Sequence, residues 1–495
     1  MSRYLKMFVA CLFLTVFFVS AGTVCAFEAW DDTLSISGII KNDSAWRIQD
    51  GEVGLHGPDP GVGTQKGLES GDYTMCRNTL QLEGTWTPME NLAVTAIYRA
   101  VYEASLQLDD ELKQNVLDAN LSSPINAGNM IDDYEYDSDL REFFVDVTWG
   151  DWHMRAGKQQ IVWGEALGFR MSDIINPLDY SWHYIFPDWE DIRIPMWGLN
   201  LAHKFTEKYT LELVWLPGAF DTGFVPTKFG NAGTHWGPKG YGQLFLDSIK
   251  DSVPDNDISN SEFGLRLKAL VGPWDTSLFW FYSRNDNPMF EPDWLAKANA
   301  SAWASMGDKF FQFPFNHKVG GTFNYYSKQA EAVFRGECVY TFDEPYNPID
   351  IFNVPTLGHY EKDSFSYMVA MDKNLKIPMI SERNFVYISA QLEQKYIFSY
   401  DDRMTTNDMS NDDEQTIATF YIDTKYMYEK LTPSLFLMWN FTGEGWARPQ
   451  IAYDIDDFWS IAVGAQIMYS HDTTEPFFGG MRDNDVAYLT VKFGF

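Results

Sequence analysis

A two-residue alternation of apolar and polar side chains recurs along this sequence and restricts its fold more than any other feature. In 92–103 the even positions are mostly apolar, whereas Thr95, Arg99 and Glu103 would lie on the opposite face of a strand. The same pattern recurs in three further segments: 262–269, 330–338 and 386–393. Charged residues therefore recur on a face that would be dry in a soluble sheet. The pattern predicts strands with two faces in unlike surroundings.

The connections between these strands alternate in length. Short turns are predicted at 88–91, 150–151, 206–208, 273–275, 429–431 and 456–457. Long polar connections are predicted at 49–77, 104–138, 164–195, 217–260, 286–317 and 399–415, with short helices expected in 108–121, 241–253 and 293–306. Such asymmetry is typical of a membrane barrel, in which short turns close one rim and long loops the other. Counting segments gives about eighteen strands, with sixteen as the alternative.

A soluble β-sandwich or β-helix would also alternate, so a second observation is needed. Aromatic residues cluster near the predicted turns: Trp86, Trp149, Trp152, Tyr426, Tyr428, Phe458 and Trp459. Amphipathic rings of this kind suit a membrane–water boundary. Spanning β-structure must close on itself, because lipid offers no partners for backbone donors and acceptors. We therefore expect an all-β fold, a transmembrane antiparallel β-barrel with long extracellular loops.

The two ends of the chain carry export and assembly signals. Arg3 and Lys6 precede an apolar run and small residues, a pattern that predicts a signal peptide over 1–26 and a barrel domain over 27–495. The apolar run is shorter than the roughly 20 residues of a membrane-spanning helix. The last segment alternates and ends in Phe493 and Phe495, resembling the terminal strand that the barrel assembly machinery reads.

The formal net charge of −32 restricts the partners of the chain. Such a field repels nucleic acid, so no nucleic-acid partner is expected. The acidic runs 132–137 and 401–414 could bind divalent cations that bridge lipopolysaccharide, or could be solvated surface. Cys76 and Cys338 would remain after signal removal and could pair or stay reduced.

The segment 140–201 carries four motifs in order: Arg155-x-Gly157-Lys158-Gln159, Trp163-Gly164-Glu165, Asp173-x-x-Asn176-Pro177-x-Asp179 and Glu190-Asp191-x-Arg193-x-Pro195-x-Trp197. With these motifs the sequence resembles a bacterial outer-membrane family catalogued as domain of unknown function 1302. The resemblance continues weakly to both ends. It implies a porin-like barrel with a channel or transport role and gives no catalytic residues.

The polar segment after Gly164 would be a long loop, and Asn176-Pro177 predicts a turn within it. Folded into the barrel, it would narrow the lumen, and inward charges on the wall would set selectivity. Its charges could equally form a salt-bridged brace without solute contact. The candidates for pore lining or constriction are Arg99, Arg155, Lys158, Gln159, Glu165, Arg170, Asp173, Asp191, Arg193, Arg266, Arg335 and Glu337.

Catalytic function has little support in the sequence. Asp188, Glu190 and Asp191 could suggest glycoside hydrolysis, but their spacing in a loop does not define the separation of two carboxylates. No zinc HExxH, GxSxG elbow or phosphate-binding loop is present, so no cofactor, metal site or catalytic residue is predicted. His153 and His203 are interpreted as structural.

The function that these observations favour is passive passage of small solutes through an outer-membrane channel. The first alternative is a binding or structural protein with a plugged lumen. A secreted β-rich carbohydrate-active enzyme is the second. The expected partners are outer-membrane lipid and lipopolysaccharide, the assembly machinery, small solutes and divalent cations at the acidic loops.

Overall fold

Long antiparallel strands make up most of the described chain, as the alternation predicts. The computed structural model describes residues 27–29, 33–50, 69–110, 113, 135–166, 170–179, 189–218, 252–292, 311–349, 357–405, 412–471, 482 and 485–495. The predicted signal peptide over 1–26 lies outside these residues.

The strands are β1 (Phe27–Ala29), β2 (Leu34–Arg47), β3 (Tyr73–Met89), β4 (Leu92–Glu103), β5 (Tyr136–Trp149), β6 (Trp152–Gln159), β7 (Met196–Thr206), β8 (Tyr209–Leu216), β9 (Glu262–Val271), β10 (Trp274–Arg284), β11 (Met289–Phe290), β12 (Phe311–Gln312), β13 (Phe315–Ser327), β14 (Ala332–Tyr346), β15 (Tyr360–Leu375), β16 (Val386–Ile397), β17 (Glu414–Thr424), β18 (Leu431–Asn440), β19 (Glu444–Asp454), β20 (Trp459–Ser470) and β21 (Val486–Gly494).

The main sheet closes into a barrel. It contains 19 strands, of which β1 is a three-residue strand that pairs only with the start of β2. The other 18 pair antiparallel with their neighbours in chain order, and β21 returns to pair with β2, where Ile39 lies opposite Gly494. The short strands β11 and β12 form a separate hairpin-like pair. The predicted barrel and its count of about eighteen strands are confirmed.

The barrel has the inverse of the burial pattern of a soluble protein. On β9, Phe263 and Leu265 are 43% and 42% exposed on the outer face, whereas Glu262 and Arg266, which flank this stretch, are 5% and 8% exposed. Apolar side chains on the outside and shielded charges on the inside fit a barrel surrounded by lipid. A soluble β-rich enzyme would have the opposite arrangement.

The two rims differ as predicted. Turns such as 90–91, 150–151 and 207–208 close one rim, which we call the short-turn rim. The strand ends that the long connections join lie at the other rim, which we call the long-connection rim, and the connections 347–359 and 471–485 add to those predicted. The connection 441–443 is short although it lies on the long-connection rim.

Exposed aromatic rings mark the short-turn rim. Trp149 and Trp152 stack at 6.2 Å between ring centroids, and Trp152 stacks on His203 at 4.1 Å. Trp86 and Phe458 are exposed on the same rim. A belt of half-exposed rings fits the level of a lipid headgroup.

The described helices are short. They are single turns at Ser105–Leu108 and Trp189–Ile192 and a 3-10 turn at Ile258–Asn260. Within the described ranges, no helix is long and apolar enough to cross a membrane. Most of the predicted helix 108–121, residues 241–251 of the second and all of 293–306 lie outside the described residues.

Candidate functional site in the barrel lumen

The connection from β6 to β7 folds into the barrel. We call residues 160–195 the inward segment, of which 160–166, 170–179 and 189–195 are described. Its contacts reach inward-facing side chains on strands around much of the wall, including Arg99 on β4, Arg266 on β9 and Glu337 on β14. The segment therefore extends across the lumen.

An apolar cluster around Trp163, which we call the Trp163 core, attaches the first part of the inward segment to the wall. Trp163 is 1% exposed and packs against Phe279 and Phe281 of β10, with ring centroids 5.4 and 6.0 Å away. Gly264 on β9 leaves room for this ring, because a Cβ atom there would lie 2.7 Å from the Trp163 Cη2 atom. A buried apolar cluster inside a polar lumen holds the segment without relying on charge.

A buried ion pair lies beside Trp163. Arg266 donates to Glu212 on β8 from Nε and Nη2, at 2.9 and 2.6 Å. The Trp163 indole N–H donates to the same carboxylate at 3.3 Å, and the Arg266 guanidinium lies 5.1 Å from the indole ring. Each charge is thus paired, as the low exposure of this site requires.

On β14, Glu337 and Arg335 bind the backbone of the inward segment. The Glu337 carboxylate accepts hydrogen bonds from the backbone N–H of Ser172, at 2.9 Å, and of Glu165. Arg335 donates to the Glu165 carbonyl and pairs with Asp372 on β15 at 2.8 Å. The barrel wall therefore binds Glu165 through both its backbone N–H and its backbone carbonyl.

The inward segment is also braced internally. Arg193 Nε lies 2.6 Å from Asp173 Oδ2, and Arg170 Nε donates to the Asp173 carbonyl at 2.7 Å. The Asn176 amide accepts from the Ile161 backbone N–H at 2.7 Å and donates to the Ile194 carbonyl at 2.7 Å. These contacts join the beginning, middle and end of the segment.

The last part of the inward segment is held by charges. Asp191 pairs with Arg99 at 2.7 Å and with Lys41 on β2 at 3.2 Å. Arg141 on β5 donates to the carbonyls of Asp191 and Arg193, at 3.1 and 2.9 Å. Burial by itself would raise the pKa of Asp191, but Lys41 and Arg99 outweigh it and lower that pKa to about 2.

The remaining candidates lie on β6. Arg155 faces the lumen, where it pairs with Asp146 at 2.9 Å and lies 4.0 Å from the Phe144 ring. Gln159 is buried and donates to the Gly198 carbonyl at 3.1 Å. Gly157 has a φ of 141°, and a Cβ there would lie 2.1 Å from the Phe143 carbonyl oxygen, so only glycine fits this motif position.

The assignment of Lys158 to the lumen needs correction. Lys158 lies in register between Phe143 and Trp197, which are 39% and 47% exposed on the outer face. Its amine pairs with Asp139 at 2.8 Å near the long-connection rim. Because alternate residues of a strand face opposite sides, Arg155 and Gln159 inside place Lys158 outside.

Several residues of this site were not among the sequence candidates: Lys41, Arg141, Trp163, Asn176, Glu212 and Asp372. Trp163 and Asn176 belong to the motifs already noted, and Glu212 is the single acidic residue within the apolar strand β8. For Glu212, the signal in the sequence is an acidic side chain on the polar face of a strand whose other face is apolar.

Phe493 and Phe495 lie at the seam of the barrel. Phe495 exchanges two backbone hydrogen bonds with Gly38 of β2, at 2.9 and 3.0 Å. Phe493 is outward and packs on Trp459 with ring centroids 4.7 Å apart. Their role as an assembly signal stays a prediction.

Neither the cysteines nor the acidic runs form a site within the described ranges. Cys76 and Cys338 lie on β3 and β14, and no disulfide joins them. In the part of the chain that is described, no group of three or more His, Cys, Asp or Glu could hold a metal ion. Residues 132–134 and 406–411 of the acidic runs lie outside that part.

The chain is similar to several solved barrels at low sequence identity. Pseudomonas aeruginosa OccK9 (OpdG) is 10% identical with a TM-score of 0.49, covering 94% of this chain and 100% of that chain. Acinetobacter baumannii OccAB3 is 8% identical with a TM-score of 0.48, covering 93% and 99%. Pseudomonas aeruginosa OpdK, solved with vanillate, is 8% identical with a TM-score of 0.46, covering 93% and 98%.

A search of curated proteins finds no match. The family described as "Protein of unknown function (DUF1302)" matches residues 7–495. This match spans nearly the whole chain and includes all four motifs of the segment 140–201. The chain therefore belongs to the DUF1302 family.

Proposed function

We propose that this protein is an outer-membrane channel through which small solutes pass passively, with a lumen narrowed by the inward segment. The observation that carries the proposal is the inverted barrel, which surrounds a charged interior with an apolar outer face. A barrel of 18 strands is wide enough for an aqueous path beside one inward loop.

The fixed attachment of the inward segment supports a constriction. Its first part is held by the Trp163 core, by the Glu212–Arg266 pair and by Glu337, so we expect this part to stay in the lumen. Arg266 and Arg335 are paired with wall carboxylates, and both also contact the segment. Their effect on ion selectivity would therefore be combined with an effect on the position of the segment.

Single-channel recording in planar bilayers tests the proposal. We expect discrete conductance steps from the purified protein and larger steps after residues 166–191 are replaced by a short linker. Arg335→Glu combined with Arg266→Glu should shift selectivity towards cations. Silent bilayers for both intact and trimmed protein, with folding verified by heat-modifiable gel migration, would contradict the channel.

A plugged binding protein is the second candidate, and one observation favours it. The inward segment is bound on both sides of the lumen, by Arg99 and Lys41 on one side and by Glu337 on the other. If the intact protein is silent and the trimmed protein conducts, the segment is a plug rather than a constriction.

Location and assembly are tested separately. The proposed cleavage of 1–26 and the barrel predict that the mature protein sediments with outer membranes; recovery as a soluble monomer would contradict this.

Phe495→Asp should lower the folded amount in membranes severalfold, because the terminal residue is proposed to be read during assembly. Glu382→Ala, at an exposed turn residue, is the matched control. Equal yields for both variants would show that Phe495 is not read.

A further inference from the structure

A group of aromatic and amide side chains lies on the lumen face of β18–β21. Its members are Phe436 on β18, Trp446 and Arg448 on β19, Gln466 on β20 and Tyr488 on β21. Phe436 lies opposite Arg448 in the ladder, and Gly464, next but one to Gln466, lies opposite Tyr488. The register therefore places all of them on one face. We call this group the β18–β21 cluster.

Two polar groups of the β18–β21 cluster are buried without hydrogen bonds. Gln466 is 0% exposed, and neither its Oε1 nor its Nε2 atom has a hydrogen-bond partner among the described residues. The Trp446 indole Nε1 atom is also buried, and no described residue accepts a hydrogen bond from it. A buried polar group without a hydrogen bond destabilises the folded protein, so two in one place require an explanation.

The neighbours of these groups supply a positive charge and apolar surface. Arg448 Nε donates to the Tyr488 hydroxyl at 3.2 Å, and its guanidinium lies 5.7 Å from the Tyr488 ring. The Tyr488 hydroxyl donates to Gln450 at 2.7 Å. Arg448 Nη2 also donates to the Gln450 side-chain oxygen at 3.4 Å. These contacts orient the Arg448 guanidinium on the lumen face. The Phe436 and Trp446 rings pack with centroids 5.0 Å apart.

We propose that the β18–β21 cluster binds a small α-hydroxy carboxylate with an apolar or aromatic substituent. The Arg448 guanidinium, the Trp446 N–H and the Gln466 amide N–H are donors that suit a carboxylate. The Gln466 amide oxygen accepts from the adjacent hydroxyl of such a solute, and Phe436 and Trp446 pack on the substituent. The proposal rests on the proposed channel only for the route by which the solute arrives.

Binding to the folded protein in detergent tests this site without requiring conductance. We expect isothermal titration calorimetry to detect mandelate binding. Mandelamide, which lacks the negative charge, should bind about tenfold more weakly, because a hydrogen bond to a charged group contributes more than one to a neutral group. Phenylacetate lacks the hydroxyl group and should bind severalfold more weakly than mandelate.

The variants separate a binding role from a structural one. Gln466→Leu should weaken mandelate binding about tenfold while its melting temperature equals or exceeds that of the parent protein, because an unsatisfied buried amide is removed. Trp446→Phe keeps the ring, loses the N–H and should weaken binding severalfold. Gln394→Leu is the matched control, since that outward amide is satisfied by Tyr367 at 2.6 Å and Thr416 at 3.2 Å. Its mandelate affinity should not change.

Three results would overturn the site. They are no mandelate binding, equal affinity for mandelate and mandelamide, and an unchanged affinity in Gln466→Leu. A clear loss of stability in Gln466→Leu together with unchanged affinity would assign the amide to a structural water. Protein that binds mandelate but stays silent in bilayers would contradict the channel and leave this site intact, so the two proposals fail separately.

Discussion

The two arms of the inward segment are attached to the barrel by different forces. The first arm, 160–179, is held by the buried Trp163 core and by Glu337, whose contacts are shielded from water. The second arm, 189–195, is held to the wall mainly by the charges of Lys41, Arg99 and Arg141 around Asp191, whose side chain is 27% exposed. Ionic screening does not weaken apolar contacts, whereas it does weaken partly exposed ion pairs.

This difference implies different responses to change. The first arm should stay attached over a wide range of pH and ionic strength, and only loss of packing or of its hydrogen-bond acceptors should release it. The second arm should respond to conditions. The lumen would then be bordered by one arm that stays attached and by one arm whose attachment depends on pH and ionic strength.

The largest effect is expected from Trp163→Ala. Removing a fully buried indole costs about 3–5 kcal/mol, enough to detach the first arm from β9 and β10. Single-channel conductance should rise severalfold. Trp274→Ala, at an exposed outer position, is the control and should leave conductance unchanged. Unaltered conductance in folded Trp163→Ala would mean that other contacts suffice to hold the first arm.

A smaller effect is expected from Glu337→Ala. The variant leaves the backbone N–H groups of Glu165 and Ser172 without their acceptor, at a cost of roughly 1–3 kcal/mol each. The arm should then detach transiently, which bilayer recording would detect as increased open-channel noise. Glu382→Ala, far from the lumen in a turn, should have the noise of the parent protein. If the two variants behave alike, Glu337 does not anchor the segment.

The smallest effect is expected from acid and from Asp191→Asn. The pKa of Asp191 is lowered from 3.8 to about 2, so its pairing stabilises the second arm above pH 4 and is lost as pH falls towards 2. Conductance should be constant from neutral pH to about 4 and rise below it. Asp191→Asn should raise neutral-pH conductance slightly and flatten the acid response. An acid response identical in both proteins would assign it to another carboxyl group.

The faces of the strands could be predicted from the sequence because alternation is a local property. Arg99, Arg266, Arg335 and Glu337 lie on the inner face for this reason. The same rule, applied within the Arg155 motif, would have placed Lys158 outside. Lys158 is a lumen candidate only because it belongs to the same motif as Arg155 and Gln159, and its position in the alternation predicts the outer face.

The contacts of the inward segment could not be predicted from local pattern. Trp163 meets Glu212 across 49 residues, and the backbone of Glu165 meets Glu337 across 172. Such pairs depend on how the barrel closes, which no local period encodes. Whether the charged candidates line a solute path or brace the segment was open in the sequence. The structure places most of them in bracing contacts, and their effect on passing ions stays a prediction.

The ladder between β2 and β21 determines when the barrel can be completed. Most other ladders join consecutive strands, but Asp43 and Thr490, bonded at 2.6 Å across this seam, are 447 residues apart. Contacts of such long range form late, because the entropy of closing the intervening chain must be overcome first. Hairpins can form as soon as their two strands emerge, yet most of the β2 edge, from Ile39 to Arg47, stays open until β21 has been synthesised. An open strand edge is prone to aggregation. Completion of the barrel therefore requires that this edge be shielded for the whole interval.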